Sequence, residues 1–140
     1  MLTVILIIGI LAGTSSFVYG GLADQSQSPE KEAQRLARWL TNLATISNRT
    51  GRSFRLYCPG NNIKRSFVEA TWLNPMQKDV YNSAYDCQFT RFSSANADST
   101  YSPQWNALVP TLTVEVSLGK ARHYVIVSQS GRVRTSASPP

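Results

Sequence analysis

Titratable chemistry is scarce in this sequence. It has one histidine, His123, and two cysteines, Cys58 and Cys87, with no CxxC pair. One imidazole and two thiols so spaced cannot assemble a zinc-type metal site. No HExxH and no glycine-rich phosphate loop occurs, so metalloprotease and nucleotide-dependent chemistry lack their signatures. A Ser–His–Asp arrangement would have to rest on His123, which sits beside Arg122 inside a predicted strand, a place where histidine ordinarily decorates a sheet surface or rim. The carboxylates Glu69, Asp79, Asp86, Asp98 and Glu115 show no spacing that pairs two of them for acid–base work. These absences argue against an enzyme and imply no cofactor and no small-molecule substrate.

Charge is also missing from the start of the chain, where Asp24 is the first charged residue. All 14 Lys and Arg and all 8 Asp and Glu therefore follow, and the net charge of +6 belongs to residues 24–140. A basic surplus of that size favours acidic partners such as anionic lipid, nucleic acid or an acidic protein. The 140 residues suffice for one domain with an appendage.

The uncharged residues 1–23 would span about 35 Å as a helix, enough to cross a hydrocarbon core of roughly 30 Å. Two readings stay open. In one, the segment is a retained membrane helix whose Gly9 and Gly13 form a GxxxG pair that lets another helix approach closely. In the other it is a secretory signal cleaved near Ala23, where Gly21 and Ala23 supply small residues but no basic n-region precedes. If the remainder is exported, a Cys58–Cys87 disulfide is the natural pairing, worth roughly 3–4 kcal/mol through loop closure. The alternative is two unrelated buried thiols.

A surface helix is expected over 29–48. Ser28 suits the cap and Pro29 the first turn, with Glu30 and Glu32 favouring the positive end of the dipole. Ala33, Leu36, Ala37, Leu40, Leu43 and Ala44 recur at helical spacing, and Gly51 supplies the stop.

Beyond Gly51 the period changes to two. Strands are expected at 53–58, at 66–73 with Val68, Ala70 and Trp72 inward, and at 86–92 with Cys87, Phe89 and Arg91 on one face. Asn74-Pro75 reads as the cap of a short helical turn through Val80, and 93–106 as a loop with Trp105 as its anchor. Leu112, Val114, Val116 and Leu118 alternate, Gly119-Lys120 turns, and 122–128 returns. A short terminal strand, Arg132-Val133-Arg134, follows the Ser130-Gly131 turn, with both arginines on one face about 7 Å apart. The fold class is α+β: a long N-terminal helix packed on an antiparallel head of about five to six strands. The domains are a hydrophobic helix at 1–23, a head at 24–135 and a frayed polar tail at 136–140.

"MLTVILIIGILAG" resembles the N-terminal segment of type IV pilins and type II secretion pseudopilins from just after their invariant glutamate, with Ile7 to Ala12 supplying "IIGILA". The family's basic leader, its terminal glycine and the Phe-Thr-Leu-(Ile/Leu)-Glu stretch are not in the sequence, so the resemblance implies a true start upstream of Met1. "RLARWLTNLATISNRTG", "SFRLYC", "VEATWL" and the late hairpin closing on Gly131-Arg132-Val133-Arg134 look like the GspH/FimT type of minor pseudopilin and minor pilin.

The resemblance implies a non-enzymatic assembly subunit, anchored by a single pass in the bacterial inner membrane with its head in the periplasm. Its partners would be other pilin or pseudopilin subunits. In pili that take up DNA, a terminal Gly-Arg-x-Arg is associated with DNA binding, which implies such a role for Gly131, Arg132 and Arg134. A solvated edge strand or a subunit contact is the competing reading of the same residues. The alternative function is a secreted basic binding module released near Ala23.

Overall fold

The computed structural model describes residues 28–60, 65–92 and 98–140. Residues 1–23, with Gly9 and Gly13, lie outside the described residues. Among those described, no helix is long and apolar enough to cross a membrane.

Residues 28–50 form the helix α1. Its Ala33, Leu36, Leu40 and Leu43 are buried in the main core, with Ala37, Trp39 and Ala44 packed at its margin. The apolar stripe expected from the sequence is thus the buried face. Burial of a leucine such as Leu36 is worth about 1.5–3 kcal/mol. Gly51 ends the helix at φ +69°, with its N–H donating to the Ser47 carbonyl at 2.8 Å.

Among the described residues nine strands follow in two antiparallel sheets: β1 Phe54–Tyr57, β2 Phe67–Trp72, β3 Gln77–Asn82, β4 Gln88–Arg91, β5 Ser99–Ser102, β6 Ala107–Val109, β7 Leu112–Leu118, β8 Ala121–Val127 and β9 Val133–Ser136. One sheet has the order β3-β2-β1-β5-β6 and the other β4-β7-β8-β9. The architecture is the expected α+β, a helix packed on antiparallel sheets, with more strands than the five or six anticipated.

The helix crosses the first sheet. At its midpoint, Trp39 meets Tyr81 of β3 with ring centroids 5.5 Å apart. At its end, the Tyr101 hydroxyl of β5 lies 3.0 Å from Asn48 Oδ1. The sheets are joined at two places. On one side the Arg91 N–H donates to Pro59 at 2.7 Å and the Phe89 N–H to Arg65 at 2.6 Å. On the other, the Leu108 N–H donates to the Gln129 carbonyl at 2.9 Å.

Three local expectations are corrected. The helical turn through Val80 is instead a tight turn at 73–76 leading into β3, with Asn74 at φ 52°. β3 is an edge strand whose one buried side chain is Tyr81, so it carries no apolar alternation to betray it. The expected loop 93–106 contains β5, which pairs with both β1 and β6. The terminal strand runs Val133–Ser136, so Arg132 stands just before it, and the Ser136 hydroxyl donates to the Ser138 carbonyl at 2.8 Å.

Candidate functional site

Three segments meet at one end of the head: the last turn of α1, the β5–β6 turn at 103–106 and the β8–β9 turn at 128–131. Tyr101 ties the first two together. Its ring is 2 % exposed, and its hydroxyl reaches both Asn48 Oδ1 at 3.0 Å and Asn106 Oδ1 at 2.5 Å. Asn48 Nδ2 also lies 3.4 Å from Asn106 Oδ1.

Gly131 brings in the third segment. It sits at φ +76°, and a Cβ there would stand 2.9 Å from Tyr101 Cε2 and 3.8 Å from the Asn106 carbonyl oxygen. Glycine is required twice over: L side chains disfavour that backbone conformation, and the ring edge occupies the space. The turn is closed by Gly131 N–H to Ser128 O at 2.9 Å and Ser128 N–H to Arg132 O at 3.0 Å. The glycine of the Gly-Arg-x-Arg stretch thus fixes how the chain emerges before its two arginines.

Arg132 and Arg134 are both exposed, while Val133 between them packs at the margin of the core. This is the expected alternation, with Arg134 registered against Ile126 and Val133 against Val127 on the outermost strand of its sheet. Two exposed guanidiniums, one just before and one within an edge strand, can hold successive anionic groups.

Behind this end runs a file of rings. Tyr101 stacks on Phe54 at 5.1 Å and 18°, and Phe54 meets Trp72 edge-on at 5.1 Å. The Arg52 guanidinium lies over Trp72 at 5.3 Å while donating to the Pro75 carbonyl at 2.7 Å. Arg52 is therefore committed to the fold. Trp105, expected as an anchor, is 75 % exposed, and Tyr101 is the buried aromatic of that segment. The positive-φ Asn106 (46°) beside it spends its side chain on Tyr101, and the indole stands in solvent.

A second polar centre, not anticipated from the sequence, lies where α1 meets the β3–β4 connection. Glu32 is fully buried on α1, where it accepts from the Tyr81 hydroxyl, from Ser83 Oγ at 2.8 Å, and from the backbone N–H groups of Ala84 and Tyr85 at 2.9 Å each. It fastens the helix to the β3–β4 connection. Its place four residues before Leu36, on the buried stripe, was the available signal. Arg91 is likewise buried and donates to Ser99 Oγ at 2.8 Å, reaching from one sheet to the other. Burial lowers its pKa, against the opposing influence of Cys58 and Asp98.

Cys58 and Cys87 are free thiols, and the expected disulfide is not formed. Both are buried in the main core. Burial pushes the Cys58 thiol up to about 12, with the Arg91 charge acting the other way. Burial and then the Glu32 carboxylate push Cys87 up to about 11. Its Sγ–H points at the Tyr85 carbonyl, 3.7 Å away. Thiols held protonated in this way are poor nucleophiles.

His123 lies in β8 opposite Val116. Glu115 is engaged by Arg122 at 3.7 Å and by the Tyr124 hydroxyl at 3.4 Å. Among the described residues, no three His, Cys, Asp or Glu side chains gather as a metal site would require.

No family model and no curated protein matches the chain by sequence. By structure it is similar to the type IV minor pilin FimU of Pseudomonas aeruginosa (strain PAO1). The likeness has a TM-score of 0.57 and 14 % identity, and covers 81 % of this chain and 91 % of that one.

Proposed function

We propose that the chain is a non-enzymatic minor pilin or pseudopilin subunit of the GspH/FimT type, assembled into a type IV pilus or a type II secretion pseudopilus. The observation that carries this reading is the head itself: one helix laid across two antiparallel sheets, in the arrangement of a minor pilin over most of both chains. The uncharged residues 1–23 support it independently. In this reading they anchor the subunit in the inner membrane with the head in the periplasm. They then move from lipid into a bundle of like helices, so that packing drives assembly. The head chooses its neighbours.

Within this reading Arg132 and Arg134 contact DNA in an uptake system. Support comes from the exposure of both residues and the net charge of +6. Phosphate contacts of this kind weaken steeply as salt rises.

Mass spectrometry of the mature protein from its native cells tests the anchor. The expected N-terminus retains the apolar segment, and the protein fractionates with membranes or sheared filaments. A soluble mature protein beginning at Asp24 would instead identify a secreted binding module and end the pilin-subunit reading.

A further inference from the structure

Trp105 is 75 % exposed, the most exposed tryptophan among the described residues. It directly precedes Asn106, whose carbonyl abuts Gly131, and Arg132 directly follows Gly131. The exposed indole and the first arginine therefore project from touching turns. Beside them lies an open groove of about 310 Å³, lined by Asn48, Gly51, Ser53, Ser102, Pro103 and Gln104. Its amides and hydroxyls can donate and accept.

The surrounding charge has one sign. The three segments that meet at this end (residues 47–52, 101–108 and 126–134) contain no aspartate or glutamate, and beside Arg52, which is committed to the fold, they carry Arg49, Arg132 and Arg134. All three of these arginines are exposed. A polyanion is the complementary partner. A bare indole adds a requirement that a phosphate clamp alone does not make. It gains most from the face of an unpaired base, since bases in a duplex are already stacked on one another.

We propose that Trp105, together with Arg132 and Arg134, forms a site for single-stranded nucleic acid, the indole stacking on a base and the guanidiniums holding phosphates. This rests on the DNA-contact part of the proposed function and narrows it from nucleic acid in general to the unpaired strand. Hydrogen bonds from the neighbouring groove would reach base edges, while the stacking itself tolerates any sequence.

The test uses the full-length chain in mild detergent. Anisotropy titrations compare a labelled oligothymidylate of about twenty nucleotides with a duplex of the same length, at about 50 and 200 mM salt. Tryptophan fluorescence is followed in parallel. Trp105→Ala is expected to weaken binding of the single strand by about 5- to 150-fold and to abolish most of the fluorescence quenching, with duplex affinity unchanged. Trp105→Phe should restore much of the single-strand affinity. Arg132→Ala and Arg134→Ala should weaken both nucleic acids and flatten the salt dependence. Because Trp105 is exposed, circular dichroism of the variant should match the parent.

If Trp105→Ala binds the oligothymidylate as the parent does while the arginine variants do not, the inference is overturned and the DNA reading survives. Equal losses on strand and duplex overturn it too. If the parent binds neither nucleic acid at the lower salt, both readings fall. Trp105 is then a protein contact, to be sought as lost co-purification with neighbouring subunits.

Discussion

The helix is held to the head by Glu32, and the size of that hold can be worked out. Replacing Glu32 with Ala strands four donors. The N–H groups of Ala84 and Tyr85 cannot turn away, and each left unpaired costs about 1–3 kcal/mol. The hydroxyls of Tyr81 and Ser83 can rotate toward water entering the vacated space. Relief from burying a carboxylate offsets part of this, so the net loss is about 3–5 kcal/mol. Glu32→Gln keeps one acceptor oxygen for the three donors now on Oε2, and the Tyr81 hydroxyl can turn to accept from the new amide. That change should cost about 1–2 kcal/mol. Tyr81→Phe keeps the ring contacts with Trp39 and Phe89 and loses a single donor, for about 1 kcal/mol. Urea unfolding of the three variants, followed by circular dichroism and fluorescence, gives these differences at a common slope. The clasp is refuted if Glu32→Ala lies within about 1 kcal/mol of the parent, or if Gln proves as damaging as Ala.

Gly131→Ala should cost about 2–3 kcal/mol, because it adds a left-handed-backbone penalty to a collision with the Tyr101 ring. Gly119→Ala, at φ +60° with open space around it, should cost about 1 kcal/mol, and equal losses at the two positions would deny the Tyr101 contact. Stability should also fall at alkaline pH. The unfolded thiols ionise near their ordinary 9.0, whereas native Cys58 and Cys87 keep their protons to about 12 and about 11. Above pH 9 the unfolded chain therefore binds fewer protons than the folded one, and the stability these thiols contribute drains away as pH rises toward 11–12. Urea midpoints measured at about pH 8 and 10.5 should show the decline, and a Cys58→Ala, Cys87→Ala variant should show a shallower one.

The elements that were legible are those whose apolar residues keep a strict period. The α1 stripe, the inward face of β2 and Leu112, Val114 and Val116 of β7 do so because they lie against the core, and β8 adds a contiguous apolar run, Tyr124 to Val127. β3 and β5 were hidden for a common reason. Each turns mainly polar or small residues inward around one tyrosine, Tyr81 or Tyr101, and pairing by backbone leaves no trace in hydropathy. Trp105 misled because size and apolarity suggest an inside position, while a turn can hold its ring out at little cost. At the candidate site, the alternation of Arg132, Val133 and Arg134 was readable from strand geometry. The need for glycine at 131 was not, since it arises from a ring thirty residues away.

The Glu32 clasp has a mechanical consequence. A pull delivered through the N-terminal side of α1 enters the globule beside residue 32, and four hydrogen bonds pass the load straight into the link between the two sheets. Helix and head must then turn together, so whatever sets the azimuth of α1 also decides which way Arg132 and Trp105 face.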